Sequence, residues 1–161
     1  MLMYQHEERR HIDAAPEELF AVLSDVEHHD ALAGSGEVKQ VRVLTDGAVG
    51  AGTEWEADEE VRFGKGTQSF TARSKMVDFA PPYALAWTST PPGKPTPKRI
   101  EWSWHLEPSP AGGTDVVERI EVDMGAVLNV AMKGLYARKR GDYVADGMRR
   151  TLDILEERCT G

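Results

Sequence analysis

From Tyr4 to about Met124 the apolar positions of this chain alternate with polar ones in short runs. From about Val127 to Cys159 they recur instead at intervals of three and four. A period of two belongs to a strand with one buried face, and a period near 3.6 to an amphipathic helix. The run Tyr4 to Ile12 predicts a strand. The stretch Asp13 to Glu18 then starts a helix: Pro16 suits the first turn, where its missing N–H costs nothing, and Glu17 and Glu18 suit the positive end of the helix dipole. Leu19, Phe20, Val22 and Leu23 supply its apolar face. Ser24-Asp25 restarts a second short helix, which runs to about Leu32 and ends on Gly34-Ser35-Gly36. Six strand-like runs follow, Val38 to Leu44, Thr53 to Phe63, Gln68 to Phe79, Leu85 to Ser89, Arg99 to Leu106 and Thr114 to Met124. Short connections between them predict an antiparallel meander. In the C-terminal helix Leu128, Met132, Leu135, Met148, Leu152 and Leu155 mark one face. Gly141 and Gly147 weaken its middle by about 1 kcal/mol each relative to alanine, so a bend or loosened turn is expected there.

One antiparallel sheet and one long amphipathic helix make an α+β domain of two layers. The length of 161 residues fits one domain, residues 1–161, with a sizeable core. The only proline-rich stretch, Pro91 to Pro97, reads as a long hairpin loop rather than a linker. The net charge of -8 argues against a nucleic-acid partner and against an anionic membrane surface. The most basic run, Lys133 to Arg150, is interrupted by Asp142 and Asp146 and reads as a solvated helix flank. The single cysteine, Cys159, cannot form an internal disulfide and sits among acidic residues, a poor setting for a reactive thiolate. No apolar leader and no membrane-spanning run is present, so a cytoplasmic protein is expected, as monomer or homodimer.

Several phrases in order carry a resemblance. Ile12-Asp13-Ala14-Ala15-Pro16-Glu17-Glu18-Leu19-Phe20 looks like a family strand-to-helix entry. Leu23-Ser24-Asp25-Val26 looks like the end of its first short helix, Val49-Gly50-Ala51-Gly52-Thr53 like its glycine turn, and Val77 to Trp87 with Pro81-Pro82 like its central turn. Gly113-Thr114 looks like the start of its last strand. Together they resemble the START-like helix-grip superfamily (SRPBCC), which includes polyketide cyclases and aromatases, lipid-transfer START domains and plant pollen-allergen proteins. The resemblance implies a seven-stranded antiparallel sheet curved around a long C-terminal helix, with two short helices between strands 1 and 2. It also implies an internal cavity for a hydrophobic or amphipathic small molecule, lipid or polyketide-like, and no cofactor. It does not choose among binders, carriers and enzymes, because one fold hosts all three.

Alternation sorts the strand residues by face. If Trp102 and Trp104 face the helix, so do Ile100 and Leu106, Leu85 and Trp87, Val77 and Phe79, Val116, Ile120 and Val122, and Trp55 and Ala57. The same rule turns charged groups inward: Arg73 and Lys75 in phase with Val77, Glu118 with Val116, Glu59 with Trp55, and His6, Glu8 and Arg10 with Ile12. Buried charges are costly unless paired, so the pattern predicts either a partly polar cavity or charges placed at its rim. The expected ligand-binding residues are Trp55, Trp87, Trp102, Trp104 and Phe79 on the sheet, with Met132, Tyr136, Tyr143 and Met148 on the helix, each of which also suits plain core packing.

No nucleophile elbow, phosphate loop or HExxH motif is present. The cluster His28-His29-Asp30 lacks metal-ligand spacing and reads as a solvated helix end, and no metal is expected. If the chain is a cyclase- or dehydratase-type enzyme, Glu118, Arg73 and Glu59 are the acid–base candidates by inward parity, with the arginine orienting an enolate or carboxylate oxygen. A binding or carrier role is the first expectation, such an enzyme the alternative, and an interaction module without a ligand the third.

Overall fold

The computed structural model describes residues 1–161. The strands are β1 (Tyr4–Ile12), β2 (Val38–Val43), β3 (Glu54–Phe63), β4 (Gly66–Ala80), β5 (Ala84–Thr90), β6 (Arg99–Pro108) and β7 (Thr114–Asp123). They form one antiparallel sheet in the order β1-β7-β6-β5-β4-β3-β2. The meander therefore runs from β2 to β7, and β1 closes its far edge. Helix α1 (Pro16–Ser24), a 3-10 turn (Val26–His28) and α2 (His29–Leu32) lie between β1 and β2. Helix α3 (Ala126–Tyr136), a π turn (Ala137–Gly141) and α4 (Asp142–Thr160) make the C-terminal helix. This is the helix-grip fold.

The apolar face of α1 explains its place: Leu19 and Leu23 are fully buried, and Leu152 and Leu155 of α4 join them in the main core with Ile12, Leu106 and Val116. A second cluster of Met3, Ile120, Val122, Val144 and Met148 lies nearer α3, with Met132 and Tyr136 packed against it. The loosening expected near Gly141 is the π turn, whose last residue is Gly141. The Tyr4 ring lies over that residue, where an added Cβ would stand 3.4 Å from the ring, and its hydroxyl donates to the Gly141 carbonyl at 3.3 Å. A second close approach holds α4 to the segment after α2. An added Cβ on Gly34 would stand 2.3 Å from the Thr151 nitrogen, and one on Gly147 2.8 Å from the Ser35 Cβ. The Gly34 N–H donates to Thr151 Oγ1 at 2.8 Å.

Strand β4 departs from simple alternation. Its register with β5 shifts between Met76 and Asp78, where Val77 is an extra residue. A β-bulge of this kind changes the face to which the following residues point. Phe79 is thus in phase with Met76, and upstream of the bulge Ala72, Ser74 and Met76 face the helices and are buried. Counting by twos from Phe79 across the bulge puts the wrong set inside. Arg73, Lys75 and Val77 lie on the outer face; Val77 is 45% exposed, and Arg73 faces Glu54 of β3 at 3.5 Å. The inward charges of β1 meet the flank of α4 instead of a cavity: Arg10 pairs with Asp153 at 2.5 Å, and Glu8 with Arg149 at 3.4 Å.

Candidate functional site

Between the concave face of the sheet, α4 and the α2–β2 segment lies a cavity of about 130 Å³. That is several times the ~10–15 Å³ that one water needs. Its sheet wall carries the indoles of Trp55, Trp87, Trp102 and Trp104, and its helix wall carries Val144, Gly147, Met148 and Thr151. Cross-strand pairing explains the wall: Trp87 and Trp102 stand directly opposite on β5 and β6, Met76 opposite Trp87, and Trp104 opposite Leu85. Trp55 and Trp87 meet edge to face with ring centroids 6.1 Å apart.

His29 lies against this pair, 4.9 Å from Trp87 and 5.9 Å from Trp55. It is buried, not solvated as the His28-His29-Asp30 phrase led us to expect. Its Nε2–H donates to the Leu23 carbonyl at 2.8 Å, and burial lowers its pKa, so it is neutral. No three His, Cys, Asp or Glu side chains converge to hold a metal ion.

Two carboxyl groups of the lining have no counter-charge. Glu118, 2% exposed, stands in one cross-strand row between Glu8 of β1 and Trp104 of β6. Its Oε2 and the Trp104 Nε1 are both buried without a hydrogen-bond partner. Burial first, and the charge of Glu8 second, push the Glu118 pKa well above the ordinary carboxyl value. Glu59 makes no ion pair; burial, then the neighbouring Glu37, raise it to about 7, against a smaller opposing effect of Arg140. A buried polar atom without a partner costs about 1–3 kcal/mol, and Glu118 Oε2 and Trp104 Nε1 each carry that cost within the chain.

Beside Glu59, Glu37 is neutralised from within. Arg140 donates to both oxygens of Glu37, at 2.7 and 2.8 Å, and also to the Arg62 carbonyl at 3.1 Å. The Arg62 N–H donates to Glu37 at 2.9 Å. Burial alone would raise the Glu37 pKa, but the bonds from Arg140 and Arg62 outweigh it and hold this carboxyl below its ordinary value.

Of the residues named from sequence, the cavity brings together Trp55, Trp87, Trp102, Trp104, Met148, Glu59 and Glu118. Five others lie elsewhere. Phe79 packs edge to face on Phe20, 5.2 Å away, against the main core. Met132 and Tyr136 pack on the second core cluster. Tyr143 donates its hydroxyl to the Gly64 carbonyl at 2.8 Å and stacks under Arg62. Arg73 is on the outer face, and the guanidinium of the cavity belongs to Arg140. Arg140 stands four residues before Val144 and eight before Met148, a helical spacing that marks the inward face. Glu37 and His29 carried no such signal.

The sequence matches, over residues 3–160, the family model described as polyketide cyclase / dehydrase and lipid transport. No curated protein matches it. Among solved structures it is similar to the ginseng major latex-like protein 151 of Panax ginseng, with a TM-score of 0.70 at 9% identity over 98% of both chains. It is also similar to the Zhui aromatase/cyclase of Streptomyces sp. R1128, with a TM-score of 0.65 at 14% identity over 96% of this chain and 94% of that one. The di-domain aromatase/cyclase StfQ of the steffimycin biosynthetic pathway gives a TM-score of 0.72 at 12% identity. There 96% of this chain is covered, but the chain spans only 50% of StfQ. At these identities the likeness is one of fold.

Proposed function

The chain belongs to the polyketide cyclase / dehydrase and lipid transport family, and from that premise we propose that it binds and carries an amphipathic small molecule in its internal cavity. One observation carries this reading: a cavity walled by four indoles is also lined by Trp104 and Glu118, whose Nε1 and Oε2 are buried and satisfied by nothing in the chain. An apolar body gains from burial against the indoles, at about 25 cal/mol per Å² removed from water, and a polar end meets Trp104 and Glu118. The test is native mass spectrometry of the purified protein, with dye displacement by fatty acids, sterols and polycyclic aromatics. A bound mass or a displaced dye is the expected outcome; no ligand in either assay sinks the reading.

A second reading has its own observation. Two carboxyl groups of raised pKa in one partly dry site, with Glu59 at about 7, are suited to moving protons near neutral pH. On this reading the chain is a cyclase- or dehydratase-type enzyme, with Glu118 as acid and Glu59 as base. Incubation with linear poly-β-ketone analogues checks it by product mass. The expected turnover is lost in Glu118→Gln and Glu59→Gln, and turnover unchanged in both removes the assignment.

A further inference from the structure

The ionisable groups on the cavity wall are His29, Glu37, Glu59, Glu118 and Arg140. Arg140 and Glu37 neutralise each other in a two-point ion pair, and His29 is committed to the Leu23 carbonyl. What remains unpaired is acidic only: Glu59 and Glu118. The wall offers no free cation to a carboxylate or phosphate head. It does offer what a positive charge seeks, a carboxyl group able to ionise beside the most strongly cation-attracting aromatic side chains. From the cavity's charge and lining we infer that its ligand is an amphipathic organic cation, with an apolar or aromatic body among Trp55, Trp87, Trp102 and Trp104 and a protonated or quaternary nitrogen against the Glu118 carboxyl. This rests on the binding reading above and narrows it.

The surroundings of Glu118 support the assignment. On the sheet it faces Glu8, which His6 at 2.5 Å and Arg149 at 3.4 Å already hold, and Trp104. From α4 the cavity receives Val144, Met148 and Thr151, none of them charged. No group of the chain supplies Glu118 with a counter-ion, so nothing offsets the burial and the nearby Glu8 charge that raise its pKa. A ligand cation supplies one. A cation beside Glu118 favours its ionised form against the effect of burial, so binding of a permanently charged probe is coupled to proton release by the protein.

Three probes on one naphthalene ring separate the possibilities: (naphthylmethyl)trimethylammonium, acetonaphthone and naphthoate. Each is titrated into the full chain at pH 7, with tryptophan fluorescence for affinity and calorimetry in phosphate and in Tris for proton release. The ammonium probe is expected to bind about tenfold tighter than the ketone, with the carboxylate weakest. Proton release is expected with the ammonium probe and not with the ketone. In Glu118→Gln the ammonium advantage shrinks to about twofold or less and proton release falls, while the melting temperature at pH 7 is no lower than that of the wild type. A ketone or carboxylate that binds as tightly as the ammonium overturns the inference, as does an ammonium advantage that survives in Glu118→Gln; both leave the binding reading intact. If none of the three probes binds, and the wider ligand screen is also empty, the binding reading falls and takes this inference with it.

Discussion

Arg140 and Arg73 carry the same guanidinium into opposite surroundings. The Arg140 side chain is 12% exposed and bonded to a Glu37 side chain that is 6% exposed, whereas the Arg73 side chain is 57% exposed. Removing one member of a buried ion pair strands the other, at about 3–5 kcal/mol. The Arg62 N–H still bonds Glu37, so Arg140→Met is expected to cost about 3 kcal/mol, the low end of that range. Arg73→Ala is expected to change stability by about 0.5 kcal/mol or less. Urea unfolding of both variants checks the pair, and equal effects would contradict the placement. Parity pointed to Arg73 because the bulge at Val77 is invisible in the residue pattern. Arg140 was within reach of the helical spacing, but it stood in a basic run that read as solvated.

At the scale of elements, α4 is positioned by contact with the α2–β2 segment as much as by its apolar stripe. Gly34 and Gly147 exist for that contact, and the backbone at Thr151 cannot move aside for a Cβ only 2.3 Å away. Gly34→Ala is therefore expected to destabilise by about 3 kcal/mol or more, the upper range for overpacking. Gly147→Ala meets a serine side chain and is expected to cost about 1–2 kcal/mol after its gain in helix propensity. Gly134 in α3 has nothing within 4 Å of an added Cβ. Gly134→Ala is expected to stabilise by up to about 1 kcal/mol. Thermal melts of the three variants give the order, and a stabilising Gly34→Ala would refute the close approach. In sequence all three were glycines in or beside helices, distinguishable only once their neighbours were known.

Over the whole molecule the unpaired acids set the response to pH. A carboxyl whose folded pKa is raised holds a proton that the unfolded chain has released. Its contribution to stability is complete below the unfolded value and is lost as pH rises through the folded value. For Glu59 that window runs from the ordinary 4.5 to about 7, and Glu118, also raised by burial, acts in the same sense. Glu37 and Asp58, both held down by arginines, act in the opposite sense and lose their contribution as pH falls through their folded values. Wild type is thus expected to lose stability relative to the double variant Glu59→Gln/Glu118→Gln as pH rises from about 4.5 to 8. Urea unfolding across that range measures the gap, and parallel profiles would show that these carboxyls have ordinary pKa values. A bound cation should close the gap, because it supplies the missing counter-charge.

Periodicity and turn residues alone determined the strand and helix succession, the antiparallel meander and the faces of β1, β3, β6 and β7, because those strands alternate without a break through their inward residues. The ordered phrases pointed to the helix-grip arrangement, and parity alone put the four tryptophans, Glu59 and Glu118 on one side of the sheet. Only the tertiary structure decided which inward groups share a cavity. The bulge in β4 reversed Arg73, while Phe79 and Tyr143 went to other contacts. The approach of Gly34 to α4 buried Glu37 under Arg140, and the packing of α2 on β3 and β5 buried His29 against Trp55 and Trp87. The physical reason is common to these cases. Which face a residue takes is a local property of backbone geometry, whereas whether a charge is paired, stranded or exposed depends on chain segments more than a hundred residues away, such as Glu37 and Arg140.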